Sequence, residues 1–441
     1  MILIVLFGIS LMFVFSCVPE TSFRFSKITK TNVANFDTDF AAYCKREPST
    51  DFEQSAVWSA IYGDYKNALE YATEDAVPRS FDLSYDENAT PQDVLNRMRE
   101  RLSDANLTLE ERARIHVVLD LIKREKNLDL LFRDKIQVDA REYIISEAGR
   151  YHFLLINEAH YSSQNREFTA DLLKPLWEKG YRYLALEALS YSDIELSRRG
   201  YPVLNSGFYV RDPVFGNMVR EALAIGYRLI AYETERAGVD GSERDLDQAR
   251  NIFNKTLRND SIGKVIIHAG YSHILENGGG TYIPMGVQLK SISKQDILTI
   301  DQETMTDLNQ DEKLNPYYLY VKYQLRVGNP VIFMGEKPLV DPINYAGIDV
   351  QVYHPPTKFI KGRPTWRLRT SYQLVELPPG FEKFNGCLIQ ALRAEDRSDA
   401  IPIDQTIVYP DVGLVLQPGN YNIRVINGEG VLIATCRLEV E

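Results

Sequence analysis

The residues best suited to chemistry in this sequence are glutamates and histidines that directly follow short apolar runs. The run Tyr151–Ile156 leads into Glu158 and His160. A carboxylate beside an imidazole can orient the ring and fix its tautomer, as general acid and base catalysis requires. The spacing of two residues places both side chains on the same side of an extended segment. Glu-x-His alone is a weak motif, because two solvated residues of a surface loop give the same pattern.

The same arrangement recurs further along the chain. Apolar runs end at Glu187, at Glu233, and at a segment that holds His268 and His273. Charged groups are rarely buried without a partner or a purpose, so repeated coincidences of this kind favour a function. We therefore predict a catalytic site made of the Glu-x-His pair, Glu187 and His273. Glu233 and His268 form a second tier, and His268 is equally well explained as a satisfied strand histidine.

Alternating strands and helices must position these residues. The pattern predicts strands at 151–156, 181–186, 227–232, 264–269, 287–300 and 330–334, and helices at 167–179, 214–225 and 244–257. Repeated strand–helix–strand order implies a mainly parallel sheet. The carboxyl ends of parallel strands share one edge, where ligands gather. We therefore expect the glutamates and histidines to meet in one pocket.

The 441 residues of the chain are more than one domain usually holds, and their composition is globular. We predict an α/β fold, with a mainly parallel sheet in a core domain at 140–345. A helical region at 38–139, with helices that include 92–102 and 109–123, precedes it and is interpreted as a cap; a peptide-binding repeat array is the alternative. The Gly- and Pro-rich residues 349–441 predict a small β-sandwich-like domain.

The N-terminus has the pattern of an exported lipoprotein. Met1–Ser16 is almost wholly apolar and too short to span a membrane comfortably, which favours a signal peptide over residues 1–17. A small residue directly before Cys17 resembles the lipobox, where bacterial lipoproteins are cleaved and lipidated on cysteine. No Lys or Arg precedes Cys17, although signal peptides usually begin with a basic segment. We predict a lipid anchor on Cys17 and a tether at 18–37, which place the protein at the cell envelope, facing the periplasm or the exterior.

Charge and cysteine usage narrow the partners. The net charge is −11, which argues against nucleic acid as a partner because phosphate binding needs a basic surface. The expected partners are a small-molecule or peptide substrate and, through Cys17, the membrane. Cys387 and Cys436 can pair in an oxidising compartment or remain free buried thiols, and both readings stay open.

The spaced residues of the core domain resemble the erythromycin-esterase family. They are similar also to the wider ChaN-like and Tiki superfamily, which shares a Gly-Glu-x-His type motif. The resemblance covers residues 140–302 and rests on these segments: Asn157-Glu158-Ala159-His160, Phe168, Leu186-Glu187, Arg244-Asp245, Gln248-Ala249, Asn251-Ile252, Val265-Ile266-Ile267 and His273-Ile274.

The resemblance implies a hydrolase with a particular set of pocket residues. Carried over by position, they are Glu158, His160, Glu187 and His273, with Arg244 opening the later helix. The sequence departs from the family at two positions, which bear on macrolide esterase activity in particular. Asn157 replaces the usual Gly, and Gly270 stands where the esterases have a further His; His268 is the nearest substitute.

Two chemistries are open for these residues. In the first, His160 activates water as a general base, His273 protonates the leaving group and Arg244 stabilises the oxyanion. In the second, His160, Glu187 and His273 hold a divalent metal, which lowers the pKa of bound water. Both hydrolyse an ester, amide or peptide bond. The alternative of a different class is a haem- or iron-binding uptake lipoprotein without catalysis, since ChaN-like relatives are associated with haem and iron uptake.

Overall fold

A computed structural model gives the structure of the protein over residues 24–46, 51–75, 125–239, 241–260, 262–277, 282–308, 315–341, 347–369 and 371–441. Three predictions lie outside these residues: the signal segment, lipidation at Cys17, and the helices at 92–102 and 109–123. Cys44, Cys387 and Cys436 are free thiols.

The helices and strands of the described residues follow one another along the chain with these bounds. The strands are β1 (Arg24–Phe25), β2 (Thr29–Val33), β3 (Ile136–Asp139), β4 (Phe153–Glu158), β5 (Tyr181–Leu186), β6 (Arg228–Ala231), β7 (Lys264–Gly270), β8 (Ile297–Asp301), β9 (Val331–Met334), β10 (Val350–Gln351), β11 (Phe359–Ile360), β12 (Arg363–Pro364), β13 (Gln373–Glu376), β14 (Leu388–Arg393), β15 (Asp404–Ile407), β16 (Gly413–Leu416), β17 (Gly419–Ile426) and β18 (Leu432–Val440). The helices are α1 (Thr38–Lys45), α2 (Phe52–Ile61), α3 (Tyr65–Asp75), α4 (Glu125–Arg133), α5 (Ala140–Ala148), α6 (Ser163–Glu178), α7 (Leu196–Arg199), α8 (Pro213–Ile225), α9 (Gly241–Lys255), α10 (Met285–Ser293) and α11 (Pro316–Tyr320).

A parallel sheet of six strands forms the centre of the molecule, which confirms the predicted α/β fold. Its order is β10-β8-β4-β7-β5-β6, and every neighbouring pair is parallel. Successive side chains of a strand face opposite sides of a sheet. One face accordingly packs on α6 and α8 through Leu154, Ile156, Leu184, Leu186 and Ile266. The other packs on α9 and α10 through Phe153, Leu155, Tyr183, Ala185, Val265 and Ile267.

The first half of the segment predicted as a strand at 287–300 is a helix. Met285–Ser293 is helical, and the strand occupies only Ile297–Asp301. Met285 and Leu289 are four residues apart and both buried, so this apolar segment presents one face at helical spacing. A short apolar run is compatible with either element, which is why the sequence pattern misassigned it.

Two strands sit differently from the sequence prediction. Strand β9 pairs antiparallel with β3 in a separate two-stranded sheet and does not join the central one. Strand β10 pairs in parallel with β8, so the central sheet extends beyond the expected boundary at Asp349. A strand of two residues carries too little pattern to be recognised in the sequence.

The C-terminal region is built from antiparallel strands, as its predicted β-sandwich-like class requires. Strands β1, β2, β14, β15, β17 and β18 form one sheet, and β13 and β16 form a second. Both contribute to one apolar core that includes Val375, Ile389, Leu414 and Ile423. Residues 24–33, which the sequence placed in a tether, form β1 and β2 and pair with β18. They cover the edge of the sheet that β18 would otherwise expose.

Helices α1 and α2 lie within the region predicted to be helical and pack on the C-terminal sheet. Phe40, Val57 and Ile61 form one cluster with Leu388 and Ile426. Among the residues that the structure describes, none of the helices has the length and apolar character needed to cross a membrane.

Candidate functional site

Glu158, the last residue of β4, is held by a buried arginine. Arg166 on α6 donates from Nε to Oε2 of Glu158 at 2.7 Å and from Nη2 to Oε1 at 2.9 Å. Its Nη1 donates to Asp212 at 2.7 Å, and the Arg166 side chain is only 1% exposed. Burial alone would raise the pKa of Glu158, but the charge of Arg166 outweighs it and lowers the pKa well below its ordinary value. Glu158 is therefore ionised at neutral pH and fixed in place.

His160 is oriented by Glu158 and by two aromatic rings. Its Nδ1 lies 3.2 Å from Oε1 of Glu158, so an Nδ1–H donor suits the ionised carboxylate. The ring stacks on Tyr209 with 4.2 Å between centroids and meets the edge of Tyr271 at 4.9 Å. This arrangement leaves Nε2 as the lone-pair nitrogen, which is the form a general base requires.

Gly270, the last residue of β7, makes room for His160. A Cβ at this position would lie 2.4 Å from Cε1 and 2.7 Å from Nε2 of His160, and 3.3 Å from Oε2 of Glu187. The imidazole thus occupies the space that any larger residue would need. In the sequence comparison, Gly270 stands where the esterases have a histidine. In the fold, Gly270 allows His160 and Glu187 to approach the strand.

Glu187 lies between the two histidines of the site. It follows β5, and its Oε2 accepts the Gly270 N–H at 2.7 Å. Its Oε1 accepts from Nη2 of Arg244 at 2.6 Å and lies 3.6 Å from Nε2 of His273. Burial opposes ionisation, but His273, His160 and these two donors together lower the pKa of Glu187. The site therefore contains a second ionised carboxylate.

Arg244 joins the second-tier residue Glu233 to the site. It lies in the first turns of α9 and donates from Nε to Oε1 of Glu233 at 3.0 Å, in addition to its bond with Glu187. Its Nη1 lies 3.1 Å from Nε2 of His273. The Arg244 side chain is 34% exposed, so the guanidinium can be reached from solvent.

His273 is oriented by Asp245, which the sequence reasoning did not identify as a site residue. Its Nδ1 lies within hydrogen-bond distance of Oδ2 of Asp245, at 3.0 Å. Asp245 is fully buried and also accepts from the Tyr282 hydroxyl and the Met285 N–H, both at 2.7 Å. Burial lowers the pKa of His273, but the Asp245 hydrogen bond and the charge of Glu187 outweigh it and raise the pKa. His273 is thus prepared to carry a proton.

Helix α2 covers one side of the site. Glu53 accepts a short hydrogen bond from the Tyr271 hydroxyl. Tyr271 has a left-handed backbone conformation, with φ of 43°, directly after β7. Such a conformation is strained for a residue other than glycine and is found often at functional sites. The turn redirects the chain so that His273, two residues later, faces Glu187.

His268 lies behind the site, inside the sheet. It is 2% exposed, its ring edge packs on Phe215, and its Nε2 lies 3.6 Å from Oε2 of Glu158. Burial lowers its pKa below the ordinary value, although the charge of Glu158 opposes this. A neutral, buried His268 supports Glu158 from within the strand layer.

The residues predicted as metal ligands are already engaged with one another. The described residues contain no group of three His, Cys, Asp or Glu side chains arranged to hold a metal ion. Both oxygens of Glu187 accept protein donors, and Nη1 of Arg244 lies beside His273. The fixed positive charge of Arg244 stands where a divalent ion would bind, so the trio His160, Glu187 and His273 does not fit a metal.

We expect His273 and His268 to titrate on opposite sides of the ordinary histidine pKa of about 6.5. The carboxylate of Asp245 raises the pKa of His273, and burial lowers that of His268. Because its folded pKa is raised, the contribution of His273 to stability is present at low pH and is lost as the pH rises through that pKa. NMR titration of the ring signals, assigned with H273N and H268N, measures both values. A His273 signal that titrates below 6.5 would contradict the prediction.

Comparisons with known proteins show distant likenesses only. No family model matches the chain, and no curated protein matches it. Two solved structures described as bacterial protein toxins are 12% and 13% identical, with TM-scores of 0.28 and 0.29; the matches cover 61% and 62% of this chain and 66% of each toxin chain. RRSP, a MARTX toxin effector domain from Vibrio vulnificus CMCP6, is 15% identical with a TM-score of 0.26, over 59% of this chain and 63% of its own. The chain therefore spans somewhat under two thirds of the length of these structures, and similarity at this level assigns no family.

Proposed function

We propose that the chain is a hydrolase that cleaves an ester, amide or peptide bond at the site around Glu187. One observation carries the proposal: two histidines, each oriented by its own carboxylate, lie on either side of Glu187, and Arg244 contacts both Glu187 and His273. A location at the cell envelope, with lipid on Cys17, is part of the proposal and rests on the sequence alone.

His160 is the general base of the proposed reaction. Glu158 holds the Nδ1–H, so Nε2 takes a proton from water while the water oxygen attacks the substrate carbonyl. The ionised pair Glu158–Arg166 cannot move easily because both side chains are buried. The ring therefore keeps the tautomer and the orientation that proton transfer requires.

His273 and Arg244 act on the other side of the reacting carbonyl. With Nδ1 bonded to Asp245, a protonated His273 gives the Nε2 proton to the leaving group as its bond to the carbonyl carbon breaks. A protonated Nε2 no longer accepts from Nη1 of Arg244, so that N–H becomes free to stabilise the oxyanion. Glu187 lies between the two rings and stabilises the imidazolium that forms at His160.

A substrate panel tests the proposal. We expect the purified protein to turn over at least one class among p-nitrophenyl esters, lactones, aminoacyl p-nitroanilides and fluorogenic peptides, and H273N to lose that turnover. Folded protein without turnover on any class would count against the hydrolase. A Soret band on mixing with haem in that case would favour the haem-binding alternative.

Chelation tests the role of Arg244 in place of a metal. Dialysis against EDTA is expected to leave turnover unchanged within error, because the guanidinium supplies the positive charge beside Glu187 and His273. Activity is measured before and after dialysis, with metal content determined by mass spectrometry. Loss of turnover that zinc or manganese restores would overturn this assignment.

A further inference from the structure

A cavity lies on the face of helix α6 opposite to the site of Glu158, His160, Glu187 and His273, called the Glu/His site below. It has a volume of about 430 Å³. Gln164, Glu167, Phe168 and Asp171 line it from α6, at spacings of three and four residues that put them on one helix face. Arg166 points away from this face towards Glu158. The volume falls within the range of sites for small molecules.

Buried polar nitrogens without partners belong to residues that line this cavity. His354 is fully buried and lines it, and neither of its ring nitrogens has a hydrogen bond among the described residues. The same holds for Nε of Arg141 and Nε1 of Trp366, which also line the cavity. Buried polar atoms are nearly always paired, so several orphaned ones in one cavity indicate a bound group that supplies acceptors.

Arg141 and Trp366 offer unpaired donors, which favour a ligand with acceptor atoms such as an anion. Arg369 bonds Asp171 at 3.0 Å and Glu221 at 2.7 Å and makes a short ion pair with Glu167. Arg369 thus meets three carboxylates and does not neutralise them by itself. Arg141 and the exposed Lys358 add two positive charges at the rim, and Arg141 also reaches Asp171 at 3.4 Å.

Part of the lining is aromatic or apolar. Phe168 meets the edge of His354 with 5.3 Å between ring centroids, and Trp366, Pro330 and Pro355 line the same space. His354 is neutral, because burial and the nearby charge of Arg141 lower its pKa to about 3. A neutral imidazole offers one donor and one acceptor, which suits a hydroxyl or amide group on a ligand.

We propose that this cavity binds a small organic anion, whose carboxylate or phosphate meets Arg141 and Trp366 and whose body lies against Phe168, His354 and the prolines. The site is separate from the Glu/His site and does not depend on the hydrolase proposal. Arg141 supplies a charge-assisted hydrogen bond, which is stronger than a neutral one.

Three probes with one ring test the proposal on the full chain. Benzoate and phenyl phosphate carry the two kinds of anion, and benzamide is the neutral control. We expect one of the anions to give saturable heat in calorimetry and a change in tryptophan fluorescence, with benzamide at least about tenfold weaker. The anion that binds identifies the group that the cavity recognises.

Two variants locate the binding. R141M is expected to weaken the binding of the anion by about tenfold or more. R150M removes an exposed arginine paired with Glu147 and is expected to leave the binding unchanged. W366F is expected to abolish the fluorescence change and weaken the calorimetric binding, and it decides the matter if R141M does not fold. No saturable heat at about 10 mM probe, binding by both R141M and W366F that equals the wild type's, or binding of benzamide as tight as that of the anions would overturn the proposal.

Discussion

Replacing Arg166 by methionine is expected to destabilise the folded protein by about 3–5 kcal/mol. The variant leaves two carboxylates, Glu158 and Asp212, buried without their positive partner. It also removes the hydrogen bond from Nη2 to the backbone carbonyl of His160 at 2.6 Å, which fixes the loop that follows β4. Urea unfolding followed by circular dichroism measures the loss. R166K keeps the charge but not the planar guanidinium, so its free energy of unfolding is expected to lie between those of the wild type and R166M.

The pH dependence of this loss has a definite sign. Because the folded pKa of Glu158 lies below its ordinary value of 4.5, the stabilisation is fully present above about that pH and declines as the pH falls through the folded pKa. The difference between the wild type and R166M should therefore shrink in acid. R198M is the matched control, because the Arg198 side chain is 84% exposed and its pair with Glu195 contributes little. Equal midpoints for R166M and wild type would show that Arg166 does not stabilise the buried carboxylates.

The sheet and its functional edge could be predicted because the signals are local. Apolar runs at β4, β5 and β7 are each followed by a polar residue within a few positions. The parallel pairing of these strands then brings Glu158, Glu187 and His273 to one edge without further information.

The partners that orient the histidines could not be predicted in the same way. Arg166 is one polar residue in helix α6. Its role depends on Asp212, which lies 46 residues later and directly precedes α8. Asp245 follows Arg244 directly, and nothing local shows that it alone turns inward to His273. The one available signal was Arg166 itself, a charged residue within an amphipathic helix beside a buried strand.

Gly270 shows how a departure from a motif can mislead. In sequence, the absence of a histidine there counts as a lost function, because only residue types are compared. In the fold, His160 fills the space beside Gly270. The backbone N–H of Gly270 donates a hydrogen bond to Glu187. Steric exclusion between residues 110 positions apart cannot be read from local spacing.

The second large effect is expected on turnover, from H160N and E187Q singly and together. If His160, Glu187 and His273 act as one unit, each single change should lower kcat/KM by about a thousandfold or more, and the double change should cost less than about tenfold beyond that. The physical reason is that His160 cannot accelerate the reaction once Glu187 no longer stabilises its imidazolium. Glu187 likewise contributes nothing when no imidazolium forms at His160. E187Q keeps the size of the side chain, whereas H160N removes Cε1 and Nε2, the ring atoms that lie beside Gly270. Kinetics on the substrate found with the panel give the coupling free energy between the two positions.

H152N is the matched control, since His152 lies before the opposite end of β4 and touches none of these groups. Additive losses in the double variant would mean that the two residues act in separate steps. Unchanged activity per folded molecule with a lowered melting temperature would mean that the network of Glu187 and Arg244 is structural, because an ion pair that only holds β5 to α9 contributes to folding and leaves the reaction barrier untouched.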